Sequence, residues 1–281
     1  MAKTTVKPPV KAPLKPEVRQ RPATTGTVPP LKKAASPAQH QSQKADNGLI
    51  LSYQALQQLL GWFGLALPVT LLAYAAFAVQ GLQPSISDFY YTAMGDVLVG
   101  ILAAIGVFLL CYRGYEKLPG QWLSDRQVSF TAGLAAIAVA LFPAHRLGQP
   151  PCSLSDVACI TFGWSVHPEW LHYGAATIFF ACLAVFCLVL FTRSDRTPQG
   201  SIIWTPRNIF YTSCGGLIVL SIVAMAPYVM GDPQTRALLA SYHYLFWWET
   251  LGILAFAASW LRKGKAQESV ARVVKKLARK S

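Results

Sequence analysis

Charge is scarce in this sequence. Only 12 of the 281 residues are Asp or Glu, and residues of either sign make up 13% of the chain, against 53% hydrophobic. An ordinary soluble domain carries about 25% charged residues, so water is excluded as the solvent for much of this chain, and a mean hydropathy of +0.36 agrees. Soluble-enzyme motifs are missing too: there is no P-loop, no GxGxxG, no CxxC, no HExxH and no GxSxG.

The net charge of +13 sits at the two ends. Residues 1–48 hold nine Lys or Arg against two acids, and residues 262–281 hold eight against one, so the ends supply +14 and the middle carries −1. A fold that reads nucleic-acid phosphates spreads its cations over a folded face. No nucleic acid is therefore expected as a partner, and basic ends suit an anionic membrane surface.

Residues 1–48 hold 8 of the 19 prolines and no aromatic residue. They bury too little apolar area to offset ordering and are expected to be a disordered basic tail. The first adequate apolar run begins near Leu59 with no small-residue cleavage site after it, so no secretory signal is expected.

A hydrocarbon core of about 30 Å needs roughly 20 apolar helical residues. Six stretches are candidates: Leu59–Gln80, Asp96–Tyr112, Val128–Pro143, Leu171–Thr192, Pro206–Met230 and His243–Leu261. The second could begin as early as Phe89. Thr205-Pro206 reads as a helix cap followed by proline in the first turn. The expected fold is an all-α, polytopic transmembrane helical bundle of six spans over residues 49–262.

Loop charge sets the orientation, because Lys and Arg are retained on the cytoplasmic side. With the N-terminus inside, the inner loops hold Arg113, Lys117 and Arg126, then Arg193, Arg196 and Arg207, while the outer loops hold only Arg146 and Arg236. This predicts a multi-pass protein of the cell's inner (plasma) membrane with both termini cytoplasmic. Residues 263–281 place Val270, Val273, Val274 and Leu277 at helical spacing opposite Arg272, Lys275, Lys276, Arg279 and Lys280. The segment is expected to be an amphipathic basic helix on the anionic inner leaflet. Cys152 and Cys159 share the long outer loop, where a disulfide and two free thiols are both open to them.

The remaining signal is ionisable residues at membrane depth, which are costly and tend to face a bundle interior. On this topology His145, His172 and His243 lie at the outer level, with Ser87, Asp88 and Asp96 from the first outer loop. His167 and Glu169 lie there too. Asp96 is expected about two turns deep if its span starts at Phe89. Glu249 follows Trp248 in an apolar run with no nearby Lys or Arg, and so must be protonated, hydrogen-bonded across helices or cation-bound, with Tyr242 two turns away on roughly its face. Three histidines and several carboxylates at one depth are the ingredients of an open zinc site. His, Tyr and Trp are also ordinary residues of a membrane boundary.

The stretch PSISDFYYTAMGDVLVGILAAIGVFLLCYRGYE, with LAAIAVALFPAH, LHYGAATIFF and HYLFWWETLGI, resembles an uncharacterised bacterial family of six-helix integral membrane proteins over about residues 55–262. That resemblance implies the six-helix fold and no established activity. More loosely, Ser87, Asp88 or Asp96, and His145, His172 and His243 are similar in kind to the polar set of the alkaline ceramidases and adiponectin-receptor-type membrane hydrolases. Those build an intramembrane zinc site for amide hydrolysis; they have seven helices and an HxxxH in the last, where this chain has only His243.

Three functions follow as expectations. The first is a non-catalytic membrane protein that binds a ligand or scaffolds a membrane-protein partner. The second is a zinc hydrolase of a lipid or amide near the outer interface, with His145, His172 and His243 on the metal and Asp88, Asp96, Ser87 and Glu249 as catalytic groups. The third is haem ligation by a pair such as His172 and His243.

Overall fold

The computed structural model describes residues 37–78, 81–114, 123–144, 169–193 and 201–265. Residues from 45 onward form one compact unit; of those before it, only the start of the first helix is described. Most of the two basic ends, and with them the expected tail and amphipathic helix, lie outside the described residues, as do His145, His167, Cys152 and Cys159.

Every element among the described residues is a helix. The order is α1 (Pro37–Phe77), a 3-10 turn (Ser87–Tyr91), α2 (Gly95–Cys111), α3 (Asp125–Leu141), α4 (Glu169–Val185) continuing as a π turn (Phe186–Leu190), α5 (Pro206–Met230), α6 (Pro233–Ser241) and α7 (Tyr244–Lys263). Three stretches are long and apolar enough to cross a membrane: Ser52–Phe77, Trp170–Leu190 and Pro206–Met230. Gly95–Cys111 is a shorter apolar helix.

Local chemistry explains the boundaries. Ser124 caps α3 by accepting from Gln127 N–H, and the Gln127 side chain accepts from Ser124 N–H in return. The Thr205 hydroxyl accepts from Asn208 N–H, with Pro206 in the first turn of α5. Asp232 repeats the device for α6, accepting from Gln234 and Thr235 N–H at 2.9 Å each, with Pro233 following. This nine-residue helix has no apolar run long enough to announce it as a span.

The second span starts later than Phe89. Residues 87–91 close a separate 3-10 turn, and the chain then folds so tightly that a Cβ on Gly95 would sit 2.4 Å from Tyr90 O. Only glycine permits that approach, and α2 begins there.

All the helices except the nine-residue α6 run between two recognisable ends of the bundle. At one end Tyr53 stacks on Tyr112 at 5.6 Å, Arg193 pairs with Asp125 at 3.0 Å, and Gln58 donates to Gly264 O at 2.7 Å. Arg262 lies over Phe210 and Lys263 over Phe191 at this same end. At the other end Tyr91 donates to Ala144 O, Phe246 N–H donates to Pro84 O, and Tyr244 donates to Ala224 O.

The core just inside the first of these ends is close-packed. Trp260 is fully buried, with the rings of Tyr112, Phe186 and Phe191 at 5.2, 5.3 and 5.4 Å from its own. Small residues bring α2 and α3 together: a Cβ on Gly133 would lie 2.8 Å from Gly106 O, and Ser129 donates to Leu109 O one turn away. Lipid tails supply no hydrophobic drive between helices, so close packing of small residues carries association there.

Candidate functional site

The polar residues of the second end gather around the segment between α1 and α2. Gln83, Ser85, Ser87 and Asp88 are all buried there. Ser85 Oγ accepts from Asp88 N–H at 3.0 Å and donates to Asp88 Oδ2 at 2.8 Å, so this serine caps the 3-10 turn and not α2. The Ser-x-x-Asp spacing is the sequence signal for that cap.

This segment docks on the first turns of α7 through three bonds. His243 Nδ1 lies 3.1 Å from Gln83 O, Phe246 N–H donates to Pro84 O at 3.0 Å, and Ile86 N–H donates to Glu249 Oε2 at 2.6 Å. Glu249 therefore resolves its buried position with a partner 163 residues away. His243 precedes α7 in the left-handed conformation, φ 51°, which breaks the helix between Tyr242 and Glu249. Tyr242 is accordingly 71% exposed and does not share Glu249's face.

His172 is buried on α4, its Nδ1 2.7 Å from Phe142 O at the end of α3. A carbonyl only accepts, so Nδ1 carries a proton in this bond. The same logic applies to His243 on Gln83 O. His172 stands between two hollows. One, about 10 Å³ and sized for a single water, is lined by Ser87, Tyr90 and His172 among others. The other is a cleft of about 220 Å³ between α4, α5 and α7, whose walls include His172, Phe180, Ile222, Met225 and Glu249.

No family model, curated protein or solved structure matches this chain.

Of the residues singled out in the sequence, Ser87, His172 and Glu249 line these two neighbouring hollows, and Asp88 acts electrostatically on Glu249. Asp96 does not join them. It is exposed in the first turn of α2, because α2 begins at Gly95 and leaves it no burial, and its carboxylate there suits the positive end of the helix. Among the described residues no three His, Cys, Asp or Glu are grouped to hold a metal, and His145 lies outside those residues. The described residues do not by themselves make a zinc site.

Sequence reasoning missed Gln83, Pro84 and Phe142, whose backbone carbonyls orient the site. Carbonyls belong to every residue, so no pattern in the sequence marks them.

Proposed function

We propose that this chain is a six-span membrane protein that binds a small lipophilic molecule in the cleft between α4, α5 and α7. The observation that carries this reading is the cleft itself: about 220 Å³, walled mainly by apolar side chains, with His172, Tyr173, Thr177 and Glu249 as its few polar groups. Apolar walls with a small number of placed polar groups are the general form of a ligand site. A cavity of about 150 Å³ holds one benzene ring, so this one suits a ring or a short alkyl chain with a small head.

Six spans are supported by helices at all six apolar stretches. The inside position of the Arg-rich end is supported by the grouping of Arg193, Arg207, Arg262 and Lys263 around Phe191 and Phe210. On this reading the partners are the bilayer and the ligand, and the basic ends rest on the anionic inner leaflet.

Saturation-transfer NMR on protein in nanodiscs of deuterated lipid tests the cleft, with 2-phenylethanol as a neutral probe. Transfer is expected with the wild type and lost in Ala226→Phe, which fills the cleft. Equal transfer in both proteins refutes the reading.

Zinc hydrolysis of a lipid or amide is a second reading, favoured by one observation: His172 and His243 each have Nδ1 on a backbone carbonyl, the orientation that aims Nε2 at a metal. It requires His145 as third ligand. Metal analysis decides it: one zinc per chain, lost in His145→Ala, His172→Ala or His243→Ala, supports it, and metal-free protein rejects it. The same sample tests haem by its absorbance.

A further inference from the structure

We propose that the cleft selects a cation, an ammonium carried on one ring or a short alkyl chain, and that Glu249 Oε1 accepts its N–H. This rests on the cleft being a ligand site. Glu249 is 9% exposed and lines the cleft. Its Oε2 is taken by Ile86 N–H at 2.6 Å. No hydrogen bond to its Oε1 is made among the described residues, and the side chain lines the cleft. A carboxyl this deeply buried with one oxygen bonded and the other not is an acceptor waiting for a donor, and leaving it unmet costs desolvation energy.

Several features make that donor a cation and not a hydroxyl. Among the described residues, no Lys or Arg lines the cleft. Asp88, also buried, follows two residues after Ile86, so a second carboxyl lies close to the N–H that Glu249 accepts. Phe180, Tyr173 and Met225 supply the polarisable faces and sulfur that attract ammonium groups. A low-dielectric wall strengthens each of these terms relative to water. Along their helices Tyr173 and Met230 lie near the ends, and Glu249, Phe180 and Ile222 lie further in.

Matched probes test the charge separately from the shape. 2-Phenylethylammonium and 2-phenylethanol have nearly the same body, and 3-phenylpropanoate carries the opposite charge. Charge-assisted hydrogen bonds contribute more than neutral ones, enough for about tenfold or more in Kd. The wild type is expected to bind the ammonium at least about tenfold more tightly than the alcohol, and the carboxylate least. Glu249→Gln keeps an oxygen for Ile86 N–H and turns its NH₂ toward the ligand, so it should erase the ammonium's advantage and leave the alcohol's affinity within about twofold. Equal wild-type affinities for ammonium and alcohol, both lost in Ala226→Phe, overturn the cation preference and leave the cleft standing. Binding of none of the three overturns the cleft reading and this inference together. Should Glu249→Gln fail to fold, the three-probe ranking on wild-type protein decides alone.

Discussion

Replacing Gly133 by Ala and replacing Gly100 by Ala are the same chemical change, and the structure gives them opposite signs. A Cβ at Gly133 would lie 2.8 Å from Gly106 O and 2.9 Å from both Leu110 N and Leu110 Cγ, and ordinary contact begins at 3.4 Å. Two of these obstacles are backbone, which cannot turn aside, so α2 and α3 must part by roughly half an ångström. A gap of about 0.5–1 Å forfeits a quarter to a half of each contact's attraction along the crossing. Overpacking of this kind costs about 1–3 kcal/mol, offset by about 1 kcal/mol from alanine's better helix propensity. Gly100, on α2, has nothing within 4 Å of its would-be Cβ, so there alanine keeps the propensity gain alone. The two variants should therefore differ by about 1–3 kcal/mol, with Gly100→Ala at or above wild type. Reversible unfolding in mixed dodecyl maltoside and SDS micelles, followed by circular dichroism, measures this. If Gly133→Ala proves as stable as Gly100→Ala, the close crossing of α2 and α3 is not what holds them.

Asp125 is 3% exposed and pairs with Arg193, so Asp125→Ala should cost about 3 kcal/mol by stranding a mostly buried guanidinium, and adding Arg193→Met should recover at least ~1 kcal/mol of it. Strictly additive losses would deny the pair any coupling. Thr235 N–H and then the Thr235 hydroxyl hold the Asp232 carboxyl below the usual carboxylate range. Because its folded pKa is depressed, the stabilisation of α6 is complete above the unfolded value and disappears as pH falls through the folded one. Hydrogen exchange over residues 233–241 should show protection in the wild type that Asp232→Ala lacks at pH 7, with the difference closing in acid; a difference unchanged by pH would assign the protection elsewhere. For orientation, in a cysteine-free background, a cysteine at Gln234 should react with an impermeant maleimide on intact cells, and one at Ser201 only after permeabilisation. The reverse pattern would invert the proposed topology.

Hydropathy alone located the apolar helices, though not α6, because length and apolarity of a run are local properties and the bilayer's thickness is a fixed ruler. Thr205-Pro206 was equally legible, since a cap is made with residues three positions away. Where a helix ends was less so: α2 could have started at Phe89, and the close pass of Gly95 over Tyr90 O, which the residues around it do not announce, moved it to Gly95 and left Asp96 exposed.

Glu249 shows the division most clearly. From sequence it had to be satisfied somehow, because a carboxyl among TLGILAFAA has no local partner. The partner turned out to be a backbone N–H, that of Ile86, brought from 163 residues away when the segment between α1 and α2 docks on α7. Tertiary packing also made the cleft, which is space left between α4, α5 and α7 and belongs to no single stretch of chain. Sequence thus determined that this chain is helical, apolar over spans of membrane length, and basic at its ends. Which polar groups face one another, and around what space, was decided only by the fold, since every peptide unit offers the same donor and acceptor and only proximity selects among them.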